Sequence, residues 1–181
     1  MPSSLSHAMV AVAGGSMIAP RPLLRTFLIA GVVCAVIPDI DAIGRPFYGV
    51  TGDLQSLGGH RGFTHSLSFA ALLGLLAPLA TLGRARWDGY RLLFGVFIAL
   101  ATVSHGLLDT TTSIGAVHDG VQFLSPFSSR QFTLSRHLVH GPFSELFYLL
   151  LPLLAITRVV WYYRGIPWPR RRGERPQSLL S

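Results

Sequence analysis

Five apolar stretches, at roughly 8–20, 23–38, 66–82, 92–108 and 145–163, fill most of this chain, with little charge between them. Their apolar lengths are about 12 to 18 residues, short of the ~20 that cross a typical bilayer. One alone reads equally well as a buried helix of a soluble domain. Five within 181 residues, half of them hydrophobic, leave too little polar surface for that. Only 13% of the residues are charged, against about 25% in ordinary soluble domains. The expected fold is all-α: a multi-pass transmembrane bundle of about five short helices over residues 1–164. A disordered basic cytoplasmic tail, 165–181, is expected to follow and to touch anionic lipid headgroups. Helices this short imply a thinned bilayer, or a site lying below the headgroups.

The charges sort along these stretches. All 15 basic residues are Arg. Arg21 and Arg25 lie between the first two stretches, and Arg84, Arg86 and Arg91 between the third and fourth. Arg158, Arg164, Arg170, Arg171, Arg172 and Arg175 come at the end of the fifth stretch or beyond it. If each stretch crosses once, the three clusters share a face, which the positive-inside rule makes cytoplasmic. The net charge of +7 comes with no aromatic-interleaved basic patch and no nucleic-acid motif, so nucleic acid is not an expected partner. Cys34 is the sole cysteine, which rules out a disulfide within the chain. The opening MPSSLSHAMVAVAGG lacks the basic start and long apolar core of a cleavable signal peptide.

The opposite ends of the stretches carry the chemistry. In SHGLLD, His105 and Asp109 are four apart at the end of an apolar helix and project from one face. Such a pair holds one divalent cation or shares two, and an ionisable pair at a membrane-segment end is costly without a function. In PDID, Pro38 is expected to stop the second helix, and Asp39 and Asp41 in an extended turn would point to one side. Paired carboxylates repel unless a cation lies between them. In GGHRGFTHS, His60 and His65 flank Arg61, whose planar fork suits a phosphate or carboxylate. Thr64 is the expected N-cap of a helix starting near His65. His7 stands just before the first stretch. Each element lies at the same end of a different helix, so a bundle would converge them. Mixed His and Asp donors without Cys suit Zn, Mn or Fe. His118, Asp119, His137, His140 and Glu145, in or near the long loop 109–143, form a weaker second group. Ser66 and Ser104 lack any nucleophile context.

Taken in order, HAMVAVAGG, PDID, GHRGFTHS, SHGLLD and FLSPFS resemble the LexA-regulated, membrane-bound, metal-dependent hydrolases over about residues 5 to 130. That resemblance implies a multi-pass bacterial inner-membrane protein with hydrolase activity. The pattern is also distantly similar to zinc-dependent phospholipase C, which carries over as metal ligands His7, Asp39, His65, His105 and Asp109. The last ligand pair of that enzyme, His-x-x-x-Glu, is not reproduced, since His140 and Glu145 are five apart, and Ala42 after PDID adds no ligand.

The leading expectation is a metal-dependent hydrolase, Zn ahead of Mn or Fe, acting on a lipid or small-molecule phosphoester at the extracytoplasmic face of the inner membrane. His7, Asp39, His65, His105 and Asp109 would hold the metal. Asp41, His60 and Arg61 would be the catalytic group, the first two as base or orienters and Arg61 as anion clamp. The alternative is a non-catalytic metal-binding membrane protein, a stress-linked scaffold or sensor. A transporter ranks lowest, because its charges should lie at mid-membrane.

Overall fold

The computed structural model describes residues 4–44, 61–111 and 120–133, with Ile156 and Val159 as isolated helical positions. Four α-helices organise the described residues: α1 (Ser4–Ile18), α2 (Leu24–Val36), α3 (Leu67–Leu79) and α4 (Arg91–Thr111). Among the described residues there is no named strand, and one isolated antiparallel bridge joins Val121 to Phe132. The fifth apolar stretch, apart from Ile156 and Val159, and the tail 165–181 lie outside the described residues.

Helix lengths depart from the expectation of uniformly short segments. Two helical runs are long and apolar enough to cross a membrane, Arg21–Asp41 at 21 residues and Arg91–Thr110 at 20. The α-helix does end at Val36, just before Pro38, but the run goes on beyond it. The chain tightens into a 3₁₀ helix, Ile37–Gly44, and continues. A Pro in the first turn of a new helical segment is tolerated, because its missing N–H is not needed there. The other two helices stay short, α1 with 15 residues and α3 with 13.

Small residues let the helices approach closely, as membrane bundles require in place of a hydrophobic driving force. Gly74 of α3 and Gly95 of α4 face each other backbone to backbone: a Cβ on Gly95 would lie 2.5 Å from the Gly74 carbonyl oxygen. On the other side of α4, the Phe97 ring fills a slot floored by Gly31 of α2 and Gly15 of α1. A Cβ on Gly31 would meet that ring at 2.5 Å. Phe97 continues an aromatic cluster with Phe27, Phe94 and Trp87, whose rings lie 5.0 to 6.1 Å from Phe27. α4 therefore packs on α1, α2 and α3.

Chain direction positions the site. His7 is in the first turn of α1, Asp39 and Asp41 follow α2, His65 precedes α3, and His105 and Asp109 are in the last turns of α4. Consecutive helices run antiparallel, so all six positions gather at one end. Arg21, Arg25, Arg84, Arg86 and Arg91 gather at the other.

Candidate metal centre

α4 supplies the cluster's two most buried candidate ligands. His105 is 0% and Asp109 1% exposed. His105 Nδ1 lies 2.7 Å from the Ala35 carbonyl oxygen. A carbonyl can only accept, so Nδ1 carries the proton and Nε2 keeps its lone pair for the centre. That carbonyl is open to an imidazole for a local reason: Pro38, three residues on, has no N–H to give it.

His65 is held the same way. It closes a 3₁₀ turn, Phe63–His65, before α3. Its Nδ1 lies 3.3 Å from Asp41 Oδ2 and 3.1 Å from Thr64 Oγ1. The Thr64 hydroxyl donates to the same carboxylate oxygen at 2.9 Å, so Nδ1–H is the donor toward both. His65 Nε2 then faces His105 Nε2 at 3.2 Å. Two imidazole lone pairs at that separation repel each other unless a proton or a cation lies between them.

Two carboxylates complete the set. Asp109 Oδ2 is 3.3 Å from His65 Nε2 and 3.7 Å from His105 Nε2, and Asp39 Oδ1 is 3.3 Å from His105 Nε2. One donor atom from each of Asp39, His65, His105 and Asp109 lies within 4.8 Å of the other three. Donors about 2.0–2.1 Å from one tetrahedral ion are about 3.3–3.4 Å apart. Four of the six separations, at 3.2, 3.3, 3.3 and 3.7 Å, lie at or near that edge length and the whole set within 4.8 Å, so the donor set is of a kind that could hold a divalent cation. The Asp39 side chain is 28% exposed and the other three nearly sealed, which leaves the centre open on the Asp39 side.

The remaining predicted residues have distinct places. His7 lies beside the quartet: its ring stacks on His105 with centroids 3.8 Å apart, and its Nε2 is 3.6 Å from Asp109 Oδ1. Among the described residues, its buried Nδ1 has no hydrogen-bond partner. Asp41 Oδ2 accepts from the Arg61 backbone N–H at 3.1 Å and from Thr64, besides facing His65. That oxygen positions His65 and the turn. Arg61 is buried, with Nε 3.6 Å from Asp109 Oδ2. Its φ of +64° is left-handed, a conformation costing a bulky residue of order 1 kcal/mol. The Asp41 bond at its N–H and the Gln122 N–H donating to its carbonyl hold it there. His60, His118, Asp119, His137, His140 and Glu145 lie outside the described residues.

Several sequence expectations are corrected here. Thr64 is not the helix cap. Ser66 is, accepting from Phe69 N–H, and α3 starts at Leu67. Thr64 is spent on Asp41 instead, because the 3₁₀ turn carries it out of capping position. Asp39 and Asp41 stand in a 3₁₀ helix, not an extended turn, and reach two different histidines. Ser66 and Ser104 donate to the carbonyls of Phe63 and Ala101.

The segment 120–133 closes the cluster's flank. Its Phe123 carbonyl accepts from Leu67 N–H. A Cβ on Gly106 would lie 3.0 Å from both the His65 carbonyl and the Phe123 ring. The glycine of SHGLLD therefore lets α4 approach the His65 turn. A glycine between the two α4 ligands was the available sequence signal.

Burial pulls the His65 pKa down, but the Asp109 and Asp41 carboxylates outweigh it and hold the imidazole above the ordinary histidine value.

Comparison with known proteins adds a family. The chain matches the YdjM inner membrane protein family over residues 1–172. It is 30% identical to the inner membrane protein YbcI of Escherichia coli (strain K12), over 91% of this chain and 99% of that relative. No solved structure gives a significant match.

Proposed function

The chain belongs to the YdjM inner membrane protein family, and we propose that it is a membrane-bound, metal-dependent hydrolase acting on a phosphoester of a lipid or other amphiphile. The observation that carries the reading is the quartet Asp39, His65, His105 and Asp109, with both imidazoles locked so that Nε2 faces the centre. These four residues would hold the metal, with Zn favoured over Mn or Fe by a mixed imidazole and carboxylate donor set. A divalent metal held there supplies a bound water of lowered pKa and polarises a phosphoryl oxygen.

The chain's own groups divide the remaining work. Arg61 brings a buried positive charge beside Asp109, suited to fixing the anionic group of a substrate. Asp41, with Thr64, keeps His65 oriented and its Nδ1 protonated. His7 packs against His105 and limits how that ring can turn. The exposed edge at Asp39 is where a substrate enters. Arginines at the far end favour a cytoplasmic location for that end, and so an extracytoplasmic site in a multi-pass bundle.

The test is activity of the purified protein on phosphodiester and phospholipid panels with added Zn or Mn. Metal-dependent turnover that drops at least about 100-fold in Arg61→Ala is expected. A protein that binds stoichiometric metal and turns over nothing supports the second reading, a non-catalytic metal-binding scaffold or sensor. One observation favours that reading: four protein ligands are enough to saturate a tetrahedral ion, as in closed structural zinc sites.

A further inference from the structure

At the site end of the molecule, two large apolar side chains stand outside any core. Phe127 is 87% exposed and Leu124 44%, both on the turn that flanks the metal centre. The turn is pinned by Gln122 N–H to the Arg61 carbonyl and by its Phe123 carbonyl to Leu67 N–H. Phe123 and Val121 also rest where Gly106 leaves room on α4. Its exposed tip is therefore held in a fixed place beside the site.

The turn's backbone is suited to a poorly hydrated setting. Ser125 N–H donates to Gln122, Phe127 N–H and Ser128 N–H both donate to Leu124, and Pro126 has no N–H to satisfy. These bonds satisfy part of the turn's backbone, which suits it to the interfacial layer, where the remaining polar groups reach headgroups and water while the side chains at its tip go deeper. The neighbouring helix positions continue the apolar surface: Leu67 at the start of α3 is 46% exposed and Leu107 near the end of α4 is 48%. Both lie at the site ends of helices whose exposed rows run on through Leu75 and Leu100. Directly after the tip the chain turns polar, with Ser129 and Arg130 exposed and the Arg130 guanidinium 5.6 Å from the Phe132 ring. An aromatic and a leucine followed by serines and an arginine match the order of layers from acyl chain to headgroup.

We propose that the 122–128 turn is a bilayer anchor, with Leu124 and Phe127 inserted among the upper acyl chains of the leaflet beside the metal centre and Arg130 at its phosphates. The lipid surface is the occupant because the patch is continuous with the exposed apolar faces of α3 and α4 in an inner-membrane family protein. The anchor sets the metal centre at headgroup depth. It does not depend on hydrolysis: a protein inert toward every phosphoester can still carry it.

Cys34 is the sole cysteine, so a Cys34→Ala background allows single nitroxide labels. The full chain carrying Leu124→Cys, Phe127→Cys, Leu100→Cys or Arg130→Cys is placed in nanodiscs of phosphatidylethanolamine and phosphatidylglycerol. Collisions of each label with oxygen, which concentrates in lipid, are compared with those of a water-soluble nickel chelate. Labels at 124 and 127 should favour oxygen, as at the lipid-facing Leu100 control, while Arg130 should favour nickel. Preference for nickel at 124 and 127 would overturn the proposal, placing the turn in water. Shielding from both reagents would overturn it too, in favour of a protein contact. Both side chains are exposed, so the labelled variants should keep the unlabelled protein's thermal midpoint, which checks that each is folded.

Discussion

His65 concentrates the site's chemistry in one side chain. Its Nδ1 is engaged by Asp41 and Thr64, its Nε2 faces His105 and Asp109, and two carboxylates keep its pKa above the ordinary value. Because the folded-state pKa is raised, protonated His65 stabilises the metal-free protein below the ordinary histidine value. That contribution is lost as pH rises through the raised one. A metal ion needs Nε2 deprotonated, so its binding releases a proton and tightens over the same range. The gap in thermal midpoint between metal-loaded and chelator-treated protein should therefore widen from about pH 6 to about pH 8. A gap that narrows with pH would contradict the assignment. Asp41→Ala should weaken metal affinity by about 10–100-fold, the usual cost of losing a ligand's outer partner. Titration calorimetry checks this, and an unchanged Kd would mean that Asp41 does not position His65. At this scale the sequence was informative about residue types and poor about roles. GHRGFTHS and SHGLLD exposed the donors, but the partners of His105 and His65 include a backbone carbonyl and a threonine that no spacing marks.

The helices were legible as apolar runs, and their ends were not. PDID shows why: Pro38 reads as a stop, yet a 3₁₀ continuation needs no N–H there and carries Asp39 and Asp41 onto two different histidines. The start of α3 slipped by two residues for a similar reason, since Ser66 competed with Thr64 for the cap and won it. Close helix contact was invisible as well, because a glycine in an apolar run does not name its partner. Gly74 and Gly95 meet backbone to backbone toward the arginine end, away from the His and Asp cluster. Gly95→Leu should therefore separate α3 from α4 and cost about 1–3 kcal/mol, as overpacking does. Unfolding in mixed micelles reads that loss, with metal content per folded molecule unchanged. Full stability in Gly95→Leu would refute the close packing of α3 on α4.

At the scale of the whole molecule, five of the seven arginines among the described residues lie at one end, and the His and Asp quartet lies at the other together with Arg61 and Arg130. This segregation was readable in the sequence because it needs only alternating chain direction. The orientation it implies can be checked with an impermeant maleimide on intact cells in the Cys34→Ala background. Arg130→Cys should react at once, and Arg86→Cys only after lysis. The reverse order would invert the topology. The centre itself makes the most direct demand, since buried carboxylates and facing imidazoles are costly to keep without a cation. Metal analysis of the purified full chain, beside a His105→Ala, Asp109→Ala double variant, measures that demand. At least one equivalent of a divalent transition metal in the parent, lost in the variant, is the predicted result. A metal-free parent reconstituting with none, or a variant with the parent's metal content, would contradict the account.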